Sequence, residues 1–309
     1  MRHAPIKSFV FGMFVSCAAL LATNDARSEP QGATGASGGG FGAVYGTVSP
    51  DQVEFMSSPD RIKSIAANGA PMAIWEALEH GERVECLDCI SAVEPLLYDQ
   101  NPRTREISAW WLRRRIIGVF GPGEAYERTL NTLKGDASPQ RRAYAAYALG
   151  EFLFAPGVAA CATAVTTDGD ATVRAAAASA LGRLNDEGGG ALGKALTDQD
   201  GRVKLAALAS AGRINSFTGV ANVAALTGDA DANVRRRTLE ILDSMHGRDS
   251  IASVIALAKT DADANVRLAA CHALGSFGDA SAKPTLQAIA DTDASTLVRD
   301  QAAIALLRL

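Results

Sequence analysis

The sequence is short of the residues from which most catalytic and metal centres are built. Histidine occurs four times in 309 residues and cysteine five times. Cys86 and Cys89 form a Cys-x-x-Cys pair, but zinc needs two further ligands, and none stands close in sequence. The residue after Cys89 is Ile90, not the histidine that covalent haem attachment requires. No metal or cofactor is expected. Basic charge is not in excess either. The formal net charge is −4, and a mildly acidic chain is a poor match for nucleic acid. The apolar run at the N-terminus, Ser8 to Ala22, has 15 residues, short of the roughly 20 that span a bilayer.

That run reads as an export signal over residues 1–26, with Arg2 and Lys7 as its charged start. Removing it takes away two basic and one acidic residue, so the charge moves to −5. The cut site is not marked: Asn24 stands three residues before the end at Ala26, and Leu20 before Ala22. A lipoprotein anchored through Cys17 is the alternative, although the apolar run Ala18 to Ala22 after the cysteine argues against it. The expected location is outside the cytoplasm, in the periplasm, with no integral span after cleavage. Residues 27–48 follow as a tether, with seven glycines between Gln31 and Thr47. Residues 49–98 form a helical cap, in which Ser49-Pro50 or Ser58-Pro59 starts the first helix.

From residue 99 to 309 the chain repeats itself. A basic residue recurs at Arg105, Arg142, Arg174, Lys204, Arg235, Arg267 and Arg299, with gaps of 37, 32, 30, 31, 32 and 32. Six residues before each stands Asp99, Asp136, Asp168, Asp198, Asp229, Asp261 or Asp293. Four before it stands a helix-capping type: Asn101, Ser138, Asp170, Asp200, Asp231, Asp263 or Ser295. An apolar stripe at helical spacing follows, such as Val173, Ala176, Ala177, Ala180, Leu181 and Leu184. Gly150, Gly182, Gly212 and Gly275 near its end suit a helix stop. A looser apolar run, Val158 to Val165 or Ile251 to Ala258, completes the unit. A period near 32 with these parts defines a stack of helical pairs: an all-α fold, an α-solenoid of about seven two-helix repeats. Each basic residue can reach a turn acid of its own or the neighbouring unit. The acids and bases from Asp136 to Arg299 are thus expected to form an inter-repeat charge ladder, with Asp261 and Arg267 as an interacting pair.

The run Asp168-Gly-Asp-Ala-Thr-Val-Arg174-Ala-Ala-Ala-Ala-Ser-Ala-Leu-Gly182 resembles the short HEAT-like repeat of the bilin-lyase (PBS-lyase) type. The resemblance covers roughly residues 83–309. It implies a scaffold fold and carries no catalytic residue onto this chain. Deoxyhypusine hydroxylase shares the repeat style but holds iron on His-Glu dipeptides, and this sequence has none.

Cys86 and Cys89 sit three apart in an expected helix from Arg83 to Leu97, a spacing at which a disulfide closes. Export favours that bond. Cys161 and Cys271 lie in apolar stretches and are expected to be buried free thiols. Trp110 falls one step off the core stripe that holds Trp111, and beside Arg114 it is a candidate protein-binding pair. The clusters Arg113-Arg114-Arg115 and Arg235-Arg236-Arg237 read as solvated helix faces. The expected function is an exported, non-catalytic scaffold that binds an unidentified protein partner in the cell envelope. The alternatives are bilin-lyase-like ligand handling and thiol–disulfide exchange through Cys86 and Cys89.

Overall fold

A computed structural model describes residue 56 and residues 58–118 and 121–309. The expected signal and tether, Cys17 and the Ser49-Pro50 cap lie outside the described residues. Those described belong to one unit, residues 48–309.

The unit is a stack of helical pairs, as an α-solenoid requires. Seven ladder helices carry the recurring basic residues: α4 (Pro102–Arg113), α6 (Pro139–Phe152), α8 (Ala171–Leu184), α10 (Gly201–Ala211), α12 (Ala232–Ser244), α14 (Ala264–Phe277) and α16 (Thr296–Leu306). Between them run the second-layer helices α5 (Glu124–Gly135), α7 (Gly157–Thr167), α9 (Ala191–Ala195), α11 (Val220–Ala225), α13 (Ile251–Thr260) and α15 (Lys283–Thr292). Each ladder helix packs on the ladder helices before and after it. At the N-terminal end lie α1 (Pro59–Asn68), α2 (Pro71–His80) and the short α3 (Ile90–Val93). α2 packs against α4, and the 3-10 turn Glu94–Tyr98 packs on α4 from the second layer. The cap is thus a further helical pair without the Asp/Arg signature. Among the described residues the one strand pairing is two residues long, Ile117–Gly118 against Gly121–Pro122.

The local chemistry explains the start of α1 and of six of the seven ladder helices. The side chains of Ser58, Asn101, Ser138, Asp170, Asp200, Asp231 and Asp263 accept a first-turn N–H of their helix. These bonds satisfy donors that have no partner within the helix. Ser295 makes no such bond. Proline at the first helical position follows Ser58, Asn101 and Ser138.

Of the four glycines expected at helix stops, Gly212 caps the end of α10, and the other three do something else. Gly150, Gly182 and Gly275 lie inside α6, α8 and α14 and are buried. A Cβ on Gly150 would stand 2.9 Å from the Cα of Ala180, one on Gly182 2.8 Å from the Cα of Ser210, and one on Gly275 2.9 Å from the Cα of Ala305. They are the points where consecutive ladder helices touch backbone to backbone. Three of the stops fall instead at residues with positive φ: Leu153 (53°), Asn185 (54°) and Gly278 (65°). α12 closes one residue later, through Met245 into His246 (53°).

The core runs the length of the stack rather than collecting in one place. Val173, Ala177, Ala180 and Leu181 are buried in one ladder helix, and Val266, Ala270, Ala273, Leu274 and Phe277 in another. Each buried Leu or Val contributes about 1.5–3 kcal/mol relative to exposure. Cys161 and Cys271 are free and buried, and burial pushes both thiols up to about 12.

Candidate functional site

The Asp/Arg pattern resolves into one repeated joint. Every turn acid folds its own turn: the carboxylates of Asp99, Asp136, Asp168, Asp198, Asp229, Asp261 and Asp293 each accept the N–H two residues on, at 2.7–2.9 Å. The guanidinium of Arg142 donates to the Asp136 carbonyl of its own turn and forks onto both carboxylate oxygens of Asp168 in the next, at 2.8 Å each. Arg174 repeats this with Asp168 and Asp198, Arg235 with Asp229 and Asp261, and Arg267 with Asp261 and Asp293. Lys204 has no fork and pairs with Asp229 alone. The planar guanidinium suits this double duty in a way an ammonium does not.

This corrects one expected pairing. Asp261 and Arg267 touch only through the Asp261 backbone carbonyl, while the Asp261 carboxylate belongs to Arg235. The ladder is also incomplete at its ends. Asp136 pairs with Arg141, and Arg105 lies 3.8 Å over the Tyr144 ring instead of reaching an acid. Arg299 donates to the Asp293 carbonyl and to Thr296. In the interior rungs the preceding unit's guanidinium is the main influence on Asp168, Asp198, Asp261 and Asp293. It holds their carboxyls below the ordinary range against the opposing effect of burial. Burial is the largest influence on Asp229 and pushes upward, yet Lys204 and the Asp231 N–H still leave it lowered. Every interior base is committed to a carboxylate. The ladder is a joint between units and leaves no stripe of free cations.

At the N-terminal end a different construction appears. Cys86 and Cys89 are disulfide-bonded with their Cα atoms 5.3 Å apart, in a turn rather than in the expected helix from Arg83 to Leu97. The reason is Arg115. Its guanidinium donates to the carbonyls of Gly81, Glu82, Val84 and Trp111 at 2.6–3.3 Å and stacks 3.7 Å from the Trp111 ring. The Val84 carbonyl, which a helix from Arg83 would give to an N–H of its own next turn, is held by Arg115 instead. Arg115 is therefore buried, unlike the solvated residue its cluster suggested, and burial lowers its pKa. Cys89 is fully buried and Cys86 is 7% exposed. Both residues of the bridge therefore count among the buried core.

Nine residues after each basic position the column reads Arg114, Glu151, Arg183, Arg213, Ser244, Ser276 and Arg308. Trp110 is half-buried and packs against the core, and Arg114 donates to Glu82 at 3.0 Å, so that candidate pair is already partly engaged. A better-formed feature lies further along. An open groove of about 330 Å³ crosses α6, α8 and α10, with Ala176, Ala180 and Ala209 lining it between Tyr147, Arg183 and Arg213. Glu151 is buried beside it and pairs with Arg183. Burial raises the Glu151 pKa, opposed by Arg183 and by the Tyr147 hydroxyl. Arg213 is exposed and makes no ion pair among the described residues. Reading the same column across units would have found Glu151, Arg183 and Arg213. The local sequence around each gives no signal.

Among the described residues no group of three or more His, Cys, Asp or Glu is placed to hold a metal ion, and no helix is long and apolar enough to cross a membrane.

The chain belongs to the HEAT repeats family, whose model matches residues 126–212 and 220–307. Among solved structures it is similar to the Escherichia coli protein YibA, at 16% identity and a TM-score of 0.56, over 85% of this chain and 98% of that one. Yeast importin-β (Kap95p) is similar over 82% of this chain and 42% of its own, at 14% identity and a TM-score of 0.58. The CpcE–CpcF phycocyanin lyase complex of a Nostoc species matches over 71% of this chain and 86% of its own, at 21% identity and a TM-score of 0.40. The likenesses to YibA and importin-β are ones of fold. No curated protein matches the chain.

Proposed function

We propose that this chain is an exported, non-catalytic scaffold whose ladder-helix face holds a protein partner in the cell envelope. The carrying observation is the groove between Tyr147, Arg183 and Arg213. It is a partly open groove of about 330 Å³ in which small side chains lie between an aromatic ring and two arginines, a surface on which a segment of polypeptide can rest. Export is supported by the charged start and apolar run of residues 1–26 and by the Cys86–Cys89 bond, which suits an oxidising compartment. The burial of both cysteines weighs against thiol exchange as the working chemistry.

The test places a photocrosslinking residue at Ser179, which lines the groove, or at Thr163 on the second layer, in cells producing the full chain. A partner crosslinked from Ser179 and not from Thr163, in the envelope fraction, is the expected result. Crosslinks from neither position, or material confined to the cytoplasm, would contradict the proposal. An absorbance band of bound tetrapyrrole in protein purified from its native host would replace scaffolding with ligand handling.

A further inference from the structure

The groove has a charge imbalance that the fold itself illustrates. Glu151 of α6, Arg183 of α8 and Arg213 of α10 occupy the same position in three consecutive units. Across the first joint the acid and base pair: Arg183 donates to the buried carboxylate of Glu151. Across the second joint the place that Glu151 fills for Arg183 is held, for Arg213, by Arg183 itself. The three positions therefore hold two guanidiniums and one carboxylate, and that carboxylate is taken by Arg183. The geometry points to a carboxylate side chain of an acidic, extended segment of a partner protein, seated between Arg183 and Arg213. This deepens the scaffold reading and rests on it.

The other features of the groove fit such a segment. Ala176, Ala180 and Ala209 present no side chain beyond a methyl group, so a partner main chain can approach the helices closely. Tyr147 closes the far side with a half-buried ring, a platform for an apolar residue next to the acid. The chain as a whole carries a net charge of −4, so the pair of arginines is a local exception to its charge. Fork-shaped donors recognise a carboxylate with more directional specificity than lysine would provide.

The test pans the full chain against a phage-displayed library of random peptides and measures binding of the enriched peptides as synthetic, fluorescently labelled probes. Enriched peptides are expected to carry Asp or Glu beside apolar residues. Arg213→Gln should weaken them by roughly tenfold or more, the loss of charge-assisted hydrogen bonds. Arg213 makes no ion pair, so this variant leaves the stack intact, which a circular dichroism melt checks. Arg308→Gln, in the same column at the far end, should change nothing. A library that yields no acidic binders, or only binders indifferent to Arg213→Gln, overturns the inference. Crosslinks from Ser179 separate the two levels. If they persist undiminished in Arg213→Gln, the acidic-segment inference falls and the scaffold reading stands; if they never form, the scaffold reading falls on its own account.

Discussion

The N-terminal end and the repeat array solve one problem by opposite means. In the interior of the array each turn is tied to the next by a modest joint: one base and one carboxylate, with a carbonyl of the base's own turn wherever that base is arginine. At the N-terminal end a single buried residue, Arg115, ties four carbonyls at once, and a disulfide closes the adjoining turn. The array spreads its risk. A broken rung leaves the neighbouring rungs and their packed stripes in place, as expected when units touch only their neighbours. The end concentrates it. Removing one side chain there strands several acceptors together, and each buried group left unpaired costs about 1–3 kcal/mol.

The sharpest way to break this comparison is Arg115→Ala. We expect a loss of roughly 3–5 kcal/mol, confined to the N-terminal end. Hydrogen exchange should speed up over residues 58–115 while α8 to α14 keep their protection. Uniform loss along the chain would show that the two regions are one cooperative unit.

Gly182→Ala probes the array with a backbone-to-backbone contact. The new methyl would meet the Cα of Ser210 at 2.8 Å, so a cost of about 1–3 kcal/mol is expected. Gly169→Ala has nothing within 4 Å and should fall within about 0.5 kcal/mol of the parent. Equal melting temperatures for the two variants would show that the ladder helices part to admit a methyl group. Such freedom is incompatible with the close contact described.

Acid should loosen the array before it affects the Arg115 knot. The carboxyls of Asp168, Asp198, Asp261 and Asp293 sit below their ordinary value when folded. Their contribution is therefore complete above the unfolded-state pKa of about 3.9 and is lost as pH falls through the folded-state values. Arg115 grips carbonyls, which do not titrate in this range. Exchange measured stepwise below about pH 4 should open the array turns first, while an end that opens first would reverse the comparison.

Reduction of Cys86–Cys89 is the smallest effect. The loop it closes is so short that chain entropy allows about 2 kcal/mol at most. The melting temperature should fall by a few degrees with the stack still folded. Complete unfolding on reduction would mean that the bond, not Arg115, holds the end together.

The array was legible in the sequence because its physics is local and repeated. Capping acids, apolar stripes and the period itself lie on the page at fixed offsets. What sequence reading assigned differently depends on contacts between units. Gly182 looks like a helix stop until the Cα of Ser210 is seen against it. Asp261 and Arg267 are close in sequence, yet the carboxylate is held by Arg235 from the unit before. The expected helix through Cys86 is interrupted where Arg115, 31 positions away from Val84, takes the Val84 carbonyl. Glu151, Arg183 and Arg213 become a site only when three units are laid side by side.

The central claim is that the Asp/Arg pattern is a joint between neighbouring units and not a surface for ligands. A double-mutant cycle on Arg235 and Asp261 tests it most directly. The Asp261 side chain is 3% exposed and that of Arg235 is 15% exposed. Each single change to Ala should cost about 2–3 kcal/mol, and the double change less than the sum by about 1–2 kcal/mol. The Asp261/Arg267 cycle, measured alongside by denaturant melts, should be additive within about 0.5 kcal/mol, because that contact runs through a carbonyl that alanine keeps. Additivity in the Arg235/Asp261 cycle would contradict the account and return the ladder arginines to the pool of candidate ligand-binding residues.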